Sequence, residues 1–324
     1  MRTRPCMKRR TREGTGSRPG RAGEFMVCMK SSVIRRDVMK LHDTGKRVSA
    51  LFWVIMVLSF FFSQPGGGCV SAADTETIKI GGTGGALGSM KELALAYQKK
   101  HPGTIVRIVQ HLGTRGGIKA VLEGALDIGL AGRHLSHQEL AQGLREYEYA
   151  WSPFVFATAG SGKRMDLTTD TVAKIYRGEI RTWPDGTPLR LLMRPEGDVD
   201  TIMLKAISPE IRDAVSRAES REGLLLAMDD QQNCDILEKV NGAFGTSTLS
   251  QIIAEKRSLI PLTFNGVTPD IRAMVSGRYP FYKPFHLFTG PKSSPLSQAF
   301  IEFVKSAEGK RILTQSGNHV TGVQ

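Results

Sequence analysis

Cysteine is scarce in this chain, with four residues in 324. Cys6, Cys28 and Cys69 lie in or before an apolar leader, so Cys234 stands alone beyond it and no intrachain disulfide can brace the rest. The fold must be held by its core. Also missing is an apolar run of the roughly 20 residues that a membrane-spanning helix needs. The longest run, Val48 to Phe62, is shorter. Beyond residue 73 there is no internal repeat and no low-complexity tract. No glycine loop ends in the Gly-Lys-Ser/Thr of a nucleotide P-loop, and no acidic ribose partner follows a dinucleotide fingerprint.

Acidic charge is thin overall, giving a formal net charge of +13, but the excess is local. Residues 1–50 hold 14 basic and 4 acidic side chains and residues 51–72 hold none, which leaves 30 basic and 27 acidic groups in the remainder. A basic patch for nucleic acid is therefore not implied. The basic residues instead fit an export signal: Lys40, Lys46 and Arg47 precede Val48 to Phe62, and Val70-Ser71-Ala72 offers small residues for cleavage. Residues 1–72 are thus expected to be leader and signal peptide, with translation starting at Met29 or Met39. Cys69 follows three glycines and lacks the aliphatic residue of a lipid-attachment site, which favours a soluble product.

From Thr77 onward short apolar strands, glycine-rich turns and amphipathic helices alternate, the pattern of an α/β protein with mostly parallel strands. Strands are expected at Ile78–Ile80, Ile105–Val109, Asp127–Ala131, Leu189–Met193, Leu259–Thr263 and Phe285–Thr289. Val172, Ile175 and Tyr176 share one helical face, as do Leu296, Phe300, Phe303 and Val304. Trp151 to Thr158 reads as an apolar strand crossing between two lobes. The expected division is 73–155 for the first part of lobe 1, 156–258 for lobe 2 and 259–324 for a return to lobe 1. Tyr147, Tyr149, Phe154 and Phe156 are expected in the core or the cleft wall.

Three strand-to-helix loops are rich in glycine or hydroxyls: Gly81 to Gly85, Gly113 to Gly117 and Arg194 to Asp198. Such junctions aim backbone N–H groups and the positive end of a helix outward, and together they read as a small-anion site. His111, His134 and His137 show no metal-ligand spacing, so neither a metal nor a cofactor is expected. A catalytic centre has only Asp198 and Asp200 with flanking histidines to draw on, and the reading is of a protein that is not an enzyme.

The order of motifs resembles the periplasmic phosphate-binding proteins of ABC transporters, within the type II periplasmic-binding fold, over about residues 76–320. It is carried by the first glycine loop, HLGTRGGIKAVLEGALDIGLAGRHL, LTTDTVAKIYRGEIRTWPDG with its tryptophan at Trp183, RPEGDVDT, and GAFG. The resemblance implies a two-lobed receptor, each lobe a mostly parallel sheet flanked by helices, that binds phosphate or a similar oxyanion as a monomer and delivers it to a permease. It implies contacts from Thr83 and the amides of Gly84 and Gly85, from the Thr114 hydroxyl, and from Arg194 as a charged clamp held by Glu196.

The chain departs from the family at several positions. The family's proton-accepting aspartate falls at Gly132, Arg115 and Arg133 are extra, and a Ser-Gly-Thr run becomes Asp198-Val199-Asp200 before Thr201. A carboxylate about 4 Å from an anion repels it by roughly 4 kcal/mol at an effective dielectric near 20. Asp198 and Asp200 are thus expected to turn away from the ligand, to be neutralised by arginines or to mark a different ligand, with Arg115 and Arg133 either pairing with them as a closure latch or binding the anion directly; Arg115, Arg133, Asp198 and Thr201 join the candidate ligand-binding residues. The rival readings are an enzyme on the same fold and an anion-sensing receptor with no transporter.

Overall fold

A computed structural model describes residues 76–160 and 165–321. The expected signal peptide, the alternative starts and Cys69 lie outside the described residues. Among the described residues the first half of the chain runs β1 (Glu76–Gly82), a single 3-10 turn (Gly84–Ala86), α1 (Leu87–Lys100), β2 (Thr104–Val109), α2 (Gly113–Leu122), β3 (Ile128–Ala131), α3 (His137–Leu140) and β4 (Arg145–Thr158). It continues with α4 (Thr169–Arg177), β5 (Arg190–Met193), α5 (Val199–Ile207), α6 (Pro209–Glu219), β6 (Leu225–Leu226), α7 (Asp230–Lys239), β7 (Ala243–Thr248), α8 (Leu249–Ala254) and β8 (Ile260–Pro261). The last part is α9 (Ile271–Val275), β9 (Tyr282–Thr289), α10 (Pro295–Lys305), α11 (Ala307–Gln315) and β10 (His319–Val320). No helix among these residues is long and apolar enough to cross a membrane.

Strands pair in the order β2-β1-β3-β9-β4-β7-β5-β6. Pairing is parallel at β1–β2, β1–β3, β5–β7 and β5–β6, and antiparallel wherever β4 or β9 takes part. The long strand β4 is shared: Arg145 to Pro153 pair with β9, whereas Phe154 to Ala157 pair with β7. The chain therefore passes from one half to the other at Pro153–Phe154, inside the stretch read as a crossing.

Each half has its own apolar core. Ile78, Ile80, Met90, Leu93, Tyr97, Phe285 and Phe300 pack together on one side of the crossing, and Phe154, Phe156, Val172, Ile175, Tyr176 and Phe244 on the other. Fully burying one such aliphatic or aromatic side chain is worth about 1.5–3 kcal/mol, so each half has a substantial core with no disulfide. Tyr149 enters the first core and Phe154 and Phe156 the second, which moves Phe154 across the expected boundary at residue 155. Trp183 is buried in the second core, where its indole N–H donates to the Gly242 carbonyl at 3.0 Å. The most specific motif of the sequence is thus a structural lock.

The return to the first half differs from the expectation. Residues 259–281 stay with the second half, because Leu262, Phe264, Ala273 and Tyr279 pack into its core. The expected strand at 259–263 is reduced to Ile260–Pro261, paired with Ala157 and Thr158. The chain rejoins the first sheet only at β9. A proline in the short strand, which cannot donate to a ladder, limits its growth.

Candidate functional site

The expected anion loops converge between the two halves. From the first half come Thr83 to Gly85, where β1 runs into α1, and Lys283 at the start of β9. From the second come Arg194 at the end of β5, Asp198 and Asp200 at the start of α5, and Asp230 in the first turn of α7. Lys283 and Asp200 are 2% exposed, and Arg194 and Asp230 are 6% exposed. Burying four charged groups is tolerable only if they are paired and hydrogen-bonded.

They are paired around one carboxylate. Asp230 Oδ2 accepts from the Gly85 amide at 3.0 Å and from the Thr83 hydroxyl at 3.4 Å. Its other oxygen lies 3.6 Å from Arg194 Nη2 and 3.6 Å from Lys283 Nζ. Backbone amide, hydroxyl, guanidinium and ammonium thus meet at a position held by a side-chain carboxylate, which there stands in for a free oxyanion. Gly84 has no room for a side chain, since a Cβ would come within 2.4 Å of Gln231 Oε1 and 2.6 Å of Asp230 Cβ. The glycine is needed for this close approach.

The added carboxylates are both neutralised. Asp198 caps α5 by accepting from the Asp200 amide at 2.9 Å, an orientation that turns it back onto Arg194. Arg194 forks onto it with contacts of 3.3 Å and 2.8 Å. Asp200 accepts from Lys283 Nζ at 2.6 Å. Burial pushes the Asp200 carboxyl up to about 6, with Asp230 and Asp198 adding to the rise and Lys283 and Arg194 opposing it. Burial also disfavours an ionised Asp230, but Lys283, Arg194 and the amides of Gly85 and Gly84 outweigh it and hold that carboxyl down at about 2.

Several expected roles are corrected. Glu196 is exposed and is not the partner of Arg194. Asp198 takes that place because the helix cap fixes its direction. The latch to the added carboxylates exists, but Lys283 supplies it, not Arg115 or Arg133. Arg133 forks onto Glu139 at 2.8 Å through both terminal nitrogens. Arg115 is exposed and lies across Gly197, where a Cβ would come within 2.6 Å of its Nη2. The Thr201 hydroxyl donates to the Arg194 carbonyl at 3.3 Å and supports the clamp from behind. The Thr114 hydroxyl accepts from the Gly132 amide at 3.2 Å. Thr114, Arg115, Arg133 and Asp198 line a mouth cavity of about 240 Å³ whose walls come from both halves and include none of Asp200, Asp230 and Lys283.

Sequence reasoning missed Asp230 and Lys283. One signal pointed to Lys283: the aspartate of the family pattern is replaced by Gly132, and a Cβ there would come within 2.5 Å of Lys283 Cε. The loss of that side chain makes room for the lysine stem. Across the rim, His111 Nδ1 meets Asp229 Oδ2 at 2.7 Å, a further contact between the halves.

Two α/β halves joined through the shared strand β4, with oxyanion donors meeting between them, define a binding protein of the periplasmic type. A family profile for the PBP superfamily domain matches residues 70–308, and the chain belongs to that family. It is 25% identical over 242 residues to the phosphate-binding protein PstS of Bacillus subtilis, covering 71% of this chain and 77% of that protein. It is 23% identical over 266 residues to PstS of Borreliella burgdorferi, covering 77% of this chain and 91% of the relative. Among solved structures, a candidate phosphate ABC transporter substrate-binding protein with bound phosphate, from Clostridium perfringens, matches with a TM-score of 0.64 at 22% identity over 77% of this chain and all of that one. The periplasmic molybdate-binding protein of Azotobacter vinelandii matches with a TM-score of 0.56 at 16% identity over 75% of this chain and 99% of that one.

Proposed function

We propose that this chain is an extracytoplasmic substrate-binding protein that captures phosphate, or a phosphate-like oxyanion, for an ABC transporter. It acts without catalysis, as a monomer exported through a cleaved signal. The observation that carries the reading is the convergence of the Gly85 amide, the Thr83 hydroxyl, Arg194 and Lys283 on one oxyanion position drawn from both halves. The phosphate-binding relatives, which align along most of their length, support the same ligand class.

In this reading phosphate competes with the tethered carboxylate of Asp230. A ligand entering from the mouth cavity must move Asp230 off the amides before the halves close on it, an exchange of one anion for another on the same donors. Closure is a hinge motion about the two crossings of the chain, at Pro153–Phe154 of β4 and at the entry to β9.

The test is a thermal or calorimetric screen of phosphate, sulfate, molybdate and tungstate. Phosphate should stabilise the protein by RT ln(1 + [L]/Kd), about 2.7 kcal/mol at a hundredfold excess over Kd. Failure of all four oxyanions to stabilise either the natural protein or a variant without the Asp230 carboxylate would overturn the reading. A second reading has one observation behind it: Asp230 already occupies the donors, so the halves can close without ligand, as a signalling receptor not coupled to transport would require. Closed protein in phosphate-free solution, by small-angle scattering, together with no response to any oxyanion, would favour it.

A further inference from the structure

Glu146 and Glu148 alternate along β4 with Tyr147 and Tyr149 and so share one face of the strand. His286 on β9 stands directly opposite Glu148 in the register, and His134 reaches the same place from the turn after β3. The two imidazole rings are 4.3 Å apart, centre to centre. His286 is unusual: its side chain is fully buried, yet neither ring nitrogen has a hydrogen-bond partner. The nearest carboxylate oxygens stand at 3.5 Å, from Glu146, and 3.8 Å, from Glu148.

The His286 nitrogens make no hydrogen bond at those spacings, which suit two donors flanking a common ion. Nitrogen and oxygen ligands at about 2.0–2.2 Å in a tetrahedral shell lie about 3.4 Å from each other. Observed are 3.4 Å from His134 Nδ1 to Glu146 Oε1 and 3.5 Å from His286 Nδ1 to Glu146 Oε2. One donor atom from each of His134, Glu146 and His286 can be chosen so that all lie within 4.8 Å of one another. The Leu135 amide donates to Glu146 Oε2 at 2.8 Å, which fixes the carboxylate as an outer partner of a ligand does. The side chain of His134 is 69% exposed and leaves a path for entry.

We propose that His134, Glu146 and His286 form a site for a divalent first-row transition ion, zinc foremost, on the Nδ1 side of both imidazoles, with Glu148 facing their Nε2 atoms. Two imidazoles and a carboxylate with one position left over are a zinc-type donor set. The ion would tie the turn after β3, which carries Arg133, to the β4–β9 pair. The inference does not depend on the anion reading, since the two sites share no residue.

The test is titration of the purified full chain, stripped with chelator, with Zn²⁺ by calorimetry and with Co²⁺ by visible absorption. One ion per chain is expected, with a tetrahedral cobalt spectrum. His134→Ala removes an exposed side chain, and Glu146→Gln keeps the shape of the residue. Each should weaken binding by at least ~10-fold, a loss already seen when an outer partner of a ligand is removed. His286→Gln should do the same, and if it fails to fold the other two variants decide. Absence of saturable zinc binding, or equal binding by the natural protein, His134→Ala and Glu146→Gln, would overturn the proposal and leave the cluster as histidine–glutamate ion pairs.

Discussion

Lys283 Nζ lies 2.6 Å from Asp200 Oδ1, with each side chain 2% exposed, and this pair joins the two halves of the molecule at their junction. The lysine also faces Asp230 at 3.6 Å, so a single ammonium answers two buried carboxylates. Removing it alone leaves both without a cation on that side. Lys283→Met should therefore cost about 3–5 kcal/mol, the usual effect of breaking a buried pair from one side. Lys283→Met combined with Asp200→Leu should recover most of that loss, because the pair is then replaced by packing. Urea denaturation of the two variants checks this, and an equal loss in both would show that the pair is not the source.

The same cluster sets a dependence on pH. The Asp200 carboxyl stands at about 6, above the unfolded value of about 3.9, so its contribution to stability is fully present below pH ~3.9 and is lost as pH rises through 6. The Asp230 carboxyl is held down at about 2, so its contribution is present above pH ~3.9 and is lost as pH falls through 2. Stability should rise by about 2–3 kcal/mol from pH 8 to pH 4.5 on account of Asp200, and fall again below pH 4. Asp200→Asn should flatten the alkaline limb alone, as measured by denaturant midpoints across pH.

Asp198 and Asp200 pair with Arg194 and Lys283, the two cations that the anion reading assigns to the ligand. Asp198→Ser with Asp200→Thr keeps a residue able to cap α5 and returns two hydroxyls to the site. Phosphate affinity should rise at least ~10-fold, about 1.4 kcal/mol, well within the ~4 kcal/mol that one nearby carboxylate can impose. Calorimetric titration decides, and unchanged affinity would mean that the two carboxylates do not oppose the ligand.

What was legible in the sequence was local. Val172, Ile175 and Tyr176 formed the buried face of α4 because helical periodicity is written within nine residues. Two of the glycine loops landed between a strand and a helix for the same reason, whereas Gly113 to Gly117 form the first turns of α2 itself. The partners of those loops were not legible. Asp230 reads as an ordinary acidic residue in the first turn of a helix, and its contact with Gly85 spans 145 residues. Lys283, in a strand that alternates its faces, reads as a solvated side chain, yet it lies buried on Asp200, 83 residues away. Glu196 was assigned to Arg194 from the family pattern, whereas the cap of α5 selected Asp198. His286 was overlooked because its neighbours come from β4 and from the turn after β3, with no regular spacing to announce them.

The central claim is that Asp230 is a carboxylate seated in an oxyanion site. The most direct measurement is phosphate titration of Asp230→Ala beside the natural protein, followed by calorimetry and by the shift in unfolding temperature. Without anion the variant should be the less stable of the two, because Gly85, Arg194 and Lys283 lose the group they hold. Phosphate should then bind one per chain, more tightly than to the natural protein, and restore the lost stability. A variant that gains no phosphate affinity over the natural protein would contradict the account, because the donors around Asp230 would then serve that side chain alone.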